Sequence, residues 1–209
     1  MGSFIIIVLL LTSVIGLTFI VERGIALRIN KVIPEALSSA LETFRGAEDL
    51  PMLRRICEQH PSILSRLLLL ADKRRTWSKA ENISSLETTA RHEVSRLERG
   101  LVVLEIVVGI APLLGLVGTI YGLIQLFGSL GTPESGDNGR LAEGIATALH
   151  ATLLGLLTAI PSLVAWSFYN KKIETMAIEL ASLSESFIIR LYHSDRPEEF
   201  KAARQTNDA

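Results

Sequence analysis

Apolar residues in this chain gather into three long blocks, and charged residues fill the ground between them. Residues 2–21, 106–133 and 144–170 contain no Asp, Glu, Lys or Arg. A bilayer's hydrocarbon core is about 30 Å thick and takes about 20 helical residues to cross, so each block is long enough for one transmembrane helix. The first block lacks a basic leading segment, has too long an apolar core for a signal peptide, and is followed rather than preceded by positive charge; it reads as a retained span.

Between the first and second blocks the pattern changes to amphipathic. Pro34, Pro51 and Pro61 punctuate residues 22–100, and Gly46 is expected to end the first helix there. Ile83, Leu86, Ala90, Val94, Leu97 and Leu101 then fall at spacings of three and four, one stripe leading into the second span. After the third span Ile173, Ala177, Leu180, Ser184, Phe187 and Leu191 form a heptad-like seam. Two helices of about 70–80 Å are therefore expected to leave the membrane together at 1.5 Å per residue. The fold class is all-α: a polytopic membrane protein with three transmembrane helices, two of them extended into a cytoplasmic helical bundle. The segments are a first span at 1–21, a cytoplasmic region at 22–100, a second span at 101–127, a periplasmic loop at 128–139, a third span at 140–168 and a cytoplasmic tail at 169–209.

Charge fixes the expected orientation. Fourteen of the 21 Lys and Arg lie in 22–100, one (Arg140) in 101–168, and six from 169 onward. The positive-inside rule puts the two rich segments in the cytoplasm, with a periplasmic N-terminus and a cytoplasmic C-terminus in an inner membrane. The loop at 128–139 is turn chemistry throughout, too short for a domain. The average hydropathy of +0.37 beside 21% charged residues says that apolar and charged residues are segregated rather than mixed. A net charge of −1 with no basic block gives no footprint for nucleic acid. The single cysteine, Cys57, leaves no internal disulfide and reads as packing.

Catalytic patterns are missing. His92 and Glu93 are followed by Val94, Ser95 and Arg96, which is not the H-E-x-x-H of a zinc hydrolase. The four histidines and one cysteine are too scattered for a metal site, and no P-loop is present. Neither an enzyme nor a bound cofactor is expected.

At 100° per residue the third span divides into three sectors. With Thr147 at zero, Glu143, His150 and Thr158 lie at about −40°, −60° and +20°, a polar stripe. Gly144, Ala148, Ala151, Gly155, Ala159 and Ser162 cover about 40° to 120°, with Thr152 just beyond at about 140°. Eight Leu, Ile and Val side chains fill the rest. The branched sector suits lipid, and the small sector suits close helix contact. In the second span Ala111, Gly115, Gly118, Thr119, Gly122 and Ser129 cluster likewise, with Gly118 and Gly122 as a G-x-x-x-G pair. Two readings of the polar residues stand side by side: threonine hydroxyls bonding back to their own helices, or hydroxyls and an imidazole facing a hydrated interior.

The blocks GIAPLLGLVGTIYGLIQLF (109–127) and GIATALHATLLGLLTAIPSLVAWSFYN (144–170) together resemble the MotA/TolQ/ExbB proton channel family. Three spans with the large cytoplasmic segment after the first are similar to its ExbB/TolQ branch. The resemblance implies a homo-oligomer, a pentameric ring around a central pore. A single-span ExbD/TolR-like partner would sit in that pore and carry an essential aspartate, with a TonB/TolA-like protein as client. It implies that the proton-motive force is turned into work at the outer membrane. Family pore threonines map onto Thr119 in G-L-V-G-T and Thr152 in A-T-L-L-G-L. Thr147, His150 and Thr158 join them as candidate ion-path residues, with Gly115, Gly118, Gly122, Gly144, Ala148 and Gly155 as helix-packing positions. One departure stands out: relatives often carry glutamate where this chain has Thr147, and an aliphatic residue where it has His150. The partner aspartate alone, His150, or a hydroxyl-lined path for sodium each remain as the ion carrier. A non-conducting scaffold and half of a secondary transporter are the rival functions, the latter without an internal repeat to support it.

Overall fold

A computed structural model describes residues 2–129 and 138–194, and all regular structure among them is helical. In chain order the helices are α1 (Gly2–Ala26), α2 (Ile29–Val32), α3 (Glu35–Thr43), a 3-10 turn (Ala47–Asp49), α4 (Leu50–Gln59), α5 (Ile63–Lys73), α6 (Lys79–Glu98), α7 (Leu101–Ser129) and α8 (Asn138–Ser194). Three of them, α1, α7 and α8, are long and apolar enough to cross a membrane. The chain divides into two compact units, Met1–Ile25 with Arg99–Asn170, and Ala26–Glu98 with Lys171–Ala209. The expected loop at 128–139 lies outside the described residues except at its ends, where α7 runs to Ser129 and α8 begins at Asn138. Residues 195–209 of the expected tail lie outside them too.

The first unit is built from α1, α7 and the part of α8 up to Asn170. Its helices are sorted by side-chain size. Ile145, Leu149, Leu153, Leu156, Leu157, Ile160, Leu163 and Val164 are all exposed, whereas Ala148, Ala151, Ala159 and Ser162 are buried. Large apolar groups on the outside are what a lipid solvent requires, because lipid gives no hydrophobic reason to bury them. Helix α1 is held by specific contacts. A Cβ on Gly16 would stand 3.1 Å from Ser162 Oγ and 3.3 Å from Val107 Cγ1. The Tyr169 hydroxyl donates to the Ile20 carbonyl at 2.8 Å. Pro112 and Pro161 lie inside α7 and α8, each deleting one backbone donor without ending its helix.

The second unit is a helical bundle around one apolar core. Leu37, Leu41, Leu53, Leu64, Leu67 and Leu68 from α3–α5 pack with Leu86 of α6 and with Met176, Leu180, Phe187, Ile188 and Leu191 of α8. The α8 seam read from the sequence is therefore a core face, and Ser62 and Ser65 close a reciprocal capping box at the start of α5. Cys57 is buried in this core, and burial, with the nearby Asp72 and Glu58 carboxylates adding to it, pushes its thiol up to about 11. A thiol so placed is a small apolar packing group.

Two expectations need correction. The stripe from Ile83 to Leu101 does not run along one helix, because α6 ends at Glu98 and the turn Arg99–Gly100 separates it from α7. A stripe of three- and four-residue spacings survives such a break, so periodicity could not reveal it. Nor does Gly46 end a helix: α3 stops at Thr43, and Phe44 is already extended at ψ 122°. Phe44 leaves the helix to bury its ring 5.0 Å from that of Phe187.

The end of α3 is closed from a distance. Arg190 Nη1 on α8 donates to the carbonyls of Leu41, Phe44 and Glu42, at 2.6, 3.1 and 3.2 Å. A fixed cation there answers both the unpaired carbonyls and the negative end of the helix dipole. Arg190→Met keeps most of the apolar stem and removes these bonds. It should destabilise the chain by about 1.5–3 kcal/mol, read as a lowered thermal midpoint in detergent, while an exposed arginine such as Arg91 changed to Met should cost little.

Candidate ion-pathway site

The geometry of α7 against α8 begins with the absence of side chains. A Cβ on Gly155 would stand 2.6 Å from the Ala111 carbonyl oxygen and 3.2 Å from Gly115 Cα. One on Gly115 would meet the Ala151 carbonyl oxygen at 2.9 Å and Thr152 Cα at 3.0 Å. The two backbones touch here, and only glycine permits it. One turn on, Gly118 faces the Ala151 methyl and Gly122 the Ala148 methyl, at 2.6 and 2.8 Å for an added Cβ. Gly144 faces the flexible end of Leu126, at 2.5 Å for an added Cβ.

This close approach brings two hydroxyls together. Thr119 Oγ1 and Thr152 Oγ1 share a short hydrogen bond across the two helices. Thr119 Oγ1 also lies 3.1 Å from the Ala148 carbonyl on α8 and 3.2 Å from the Gly115 carbonyl on its own helix. Thr152 Oγ1 lies 3.3 Å from the same Gly115 carbonyl. Two hydroxyls carry two protons, so one bridges the oxygens and the other goes to a carbonyl. The bridging proton can point either way. Thr152 can donate to Thr119 while Thr119 donates to Ala148 or Gly115, or Thr119 can donate to Thr152 while Thr152 donates to Gly115. Both threonines are half-buried, so the pair is reachable from outside the chain.

Thr158 and Ser162 bond within their own helix. Thr158 Oγ1 donates to the Leu154 carbonyl of its own helix at 3.0 Å, and Ser162 Oγ donates to the Thr158 carbonyl at 2.8 Å. Thr147 and His150 are exposed, on a face about 140° or more from Thr152. Glu105, near the start of α7, is exposed as well. Among the described residues no group of three or more His, Cys, Asp or Glu side chains is placed to hold a metal. Sequence reasoning passed over the two groups that fix α1, Gly16 and Tyr169; the only signal was a glycine in one apolar block and a tyrosine hydroxyl at the end of another.

A family model described as the MotA/TolQ/ExbB proton channel family matches residues 58–182, which contain both threonines and the whole contact. An ExbB-like protein of Synechocystis sp. is 34% identical over 174 residues, 79% of this chain and 66% of the relative. An ExbB homolog of Methanothermobacter thermautotrophicus is 31% identical over 141 residues, 68% of this chain and 50% of the relative. The Tol-Pal system protein TolQ of Pseudomonas aeruginosa is 28% identical over 193 residues, 86% of this chain and 82% of the relative. This chain thus spans about half to two-thirds of the first two relatives and most of the third. With three membrane-crossing helices and a matched region that covers the paired spans, the chain belongs to the ExbB/TolQ-like branch of the MotA/TolQ/ExbB proton channel family.

Proposed function

We propose that this chain is the ring-forming subunit of an inner-membrane motor that uses the proton-motive force, with a single-span ExbD/TolR-like partner, to energise transport or mechanical work at the outer membrane. The observation that carries the reading is the hydroxyl pair, Thr119 with Thr152, set where α7 meets α8 and away from the branched side chains that the two spans expose. A hydroxyl pair whose bridging proton can point either way can pass or solvate an ion without itself being ionised at rest. The chain need supply no other chemistry, because one charge moving through 100 mV releases about 2.3 kcal/mol. In the ring, the small sectors hold α7 to α8, the branched sector meets lipid, and Thr119 and Thr152 line the pore. Thr147 and His150 lie on an exposed face of α8 that a neighbouring copy or the partner covers. The N-terminus is periplasmic and the C-terminus cytoplasmic, as the basic residues require. A TonB/TolA-like protein is the expected client.

One observation favours a second reading. Thr147 stands where relatives often carry a carboxylate, which fits a scaffold that holds partners without conducting, or a sodium-driven form of the same motor. The composition of the complex tests the class. Co-expressed with the single-span protein from the adjacent reading frame, the chain should purify as a pentameric ring enclosing partner helices that carry an intramembrane aspartate. A monomer that retains no such partner in native mass spectrometry would remove the motor reading.

A further inference from the structure

The turn between α5 and α6 concentrates charge that nothing in the chain's described part neutralises. Within residues 73–79 lie Lys73, Arg74, Arg75 and Lys79, and no acid. The flanking acids are already engaged. Asp72 is paired with Arg54 at 2.5 Å, and Glu81 accepts from the Ser78 hydroxyl and backbone at 2.7 and 3.1 Å, which holds its carboxyl below the usual range. Among the described residues none of the four cations forms an ion pair.

The same turn carries an exposed aromatic ring. Trp77 is 48% exposed, and the Arg74 guanidinium lies over it, 4.6 Å from the ring centroid. A guanidinium held over a ring keeps donors free to bond a carboxylate, which arginine can grip with two parallel bonds. The backbone beneath is braced. The Tyr192 hydroxyl lies 2.9 Å from the Trp77 carbonyl and 3.4 Å from the Arg74 carbonyl. Fully buried Asn82 donates to that hydroxyl at 3.1 Å and to the Ala71 carbonyl at 2.9 Å. Residues from α6 and α8 thus hold the turn in one shape, and a preorganised surface loses less on binding.

We propose that this turn is a docking site for an acidic protein segment, with Arg74 and Arg75 taking carboxylates and Trp77 giving the apolar contact. Arg and Trp are the side chains that dominate binding energy at protein interfaces. The four cations are spread along residues 73–79, which suits a segment bearing several carboxylates. A membrane surface fits less well. The ring is half-covered by its own arginine and flanked by Thr76 and Ser78, so the turn offers no second apolar group to insert beside it.

The test uses the full chain in neutral detergent and a short fluorescein-labelled peptide of Glu, Asp and Leu, with its Gln/Asn counterpart as control. The acidic peptide should bind and the neutral one should not. Arg74→Gln with Arg75→Gln should weaken binding about tenfold or more, as expected for lost charge-assisted bonds, while Arg91→Gln, elsewhere on α6, should leave it unchanged. Tyr192→Phe keeps every charge and should still weaken binding several-fold, which diffuse attraction would not produce. If that variant melts early, Trp77→Ala, on an exposed side chain, makes the same comparison. Peptide binding indifferent to all loop substitutions would overturn the proposal. So would loop-dependent binding to vesicles of anionic lipid with none to the peptide, which would assign the turn to the membrane surface.

Discussion

Thr119→Val, and separately Thr152→Val, should slow energised transport in cells about ten- to hundredfold while leaving the complex assembled. Valine matches threonine in shape, so the contact between α7 and α8 is kept. The surviving hydroxyl still has a carbonyl to meet: Thr152 can donate to Gly115, and Thr119 to Gly115 or Ala148. No buried donor is stranded, and the fold should lose only about 1 kcal/mol. An ion passing the site loses more. It needs an oxygen where water is scarce, and a hydrogen bond to a charged group contributes about 1.5–3 kcal/mol, equivalent to about a ten- to hundredfold slower passage. Equal amounts of complex with transport reduced by that factor is the expected pair of results. Normal transport in both variants would take the threonines off the pathway.

Gly155→Val should act in the opposite order, on assembly before conduction. Its Cβ would be placed 2.6 Å from a backbone oxygen of Ala111, which no rotamer change can relieve. The helices must part, and with them go the Gly115 contact and the hydroxyl pair. Overpacking of this kind costs about 3 kcal/mol or more when backbone has to move. The readout is loss of folded complex in a thermal or detergent challenge. Gly109→Ala is the matched control on α7, since a Cβ there meets nothing within 4 Å and alanine favours the helix by about 1 kcal/mol. A stable Gly155→Val complex would mean that the backbones do not meet as described.

Much of this architecture could be read from residue spacing, because in a membrane span size and polarity answer directly to what each face touches. Sorting α8 into small, branched and polar sectors needed only the 100° periodicity, and the small sector is the buried one while the branched and polar sectors are exposed. What periodicity lacks is the register of one helix against the next. Periodicity put Thr147, His150 and Thr158 in one stripe and the family resemblance added Thr119 and Thr152, but only the register shows that the last two share a hydrogen bond while Thr158 is bonded to its own helix. The helical bundle of the second unit was harder for a related reason. Its helices are ended by long-range events, such as Phe44 turning to meet Phe187 and Arg190 reaching the carbonyls of α3, and neither partner is near in sequence. The break at Arg99–Gly100 was hidden because both sides of it keep the same apolar stripe.

Ion flux tests the central claim most directly. The chain and its single-span partner, reconstituted in vesicles holding a pH-sensitive dye and an imposed proton gradient, should pass protons, with sodium gradients run in parallel. Thr119→Val should lower that flux about tenfold or more at unchanged protein content. Flux in the variant equal to that of the unaltered complex would contradict the account.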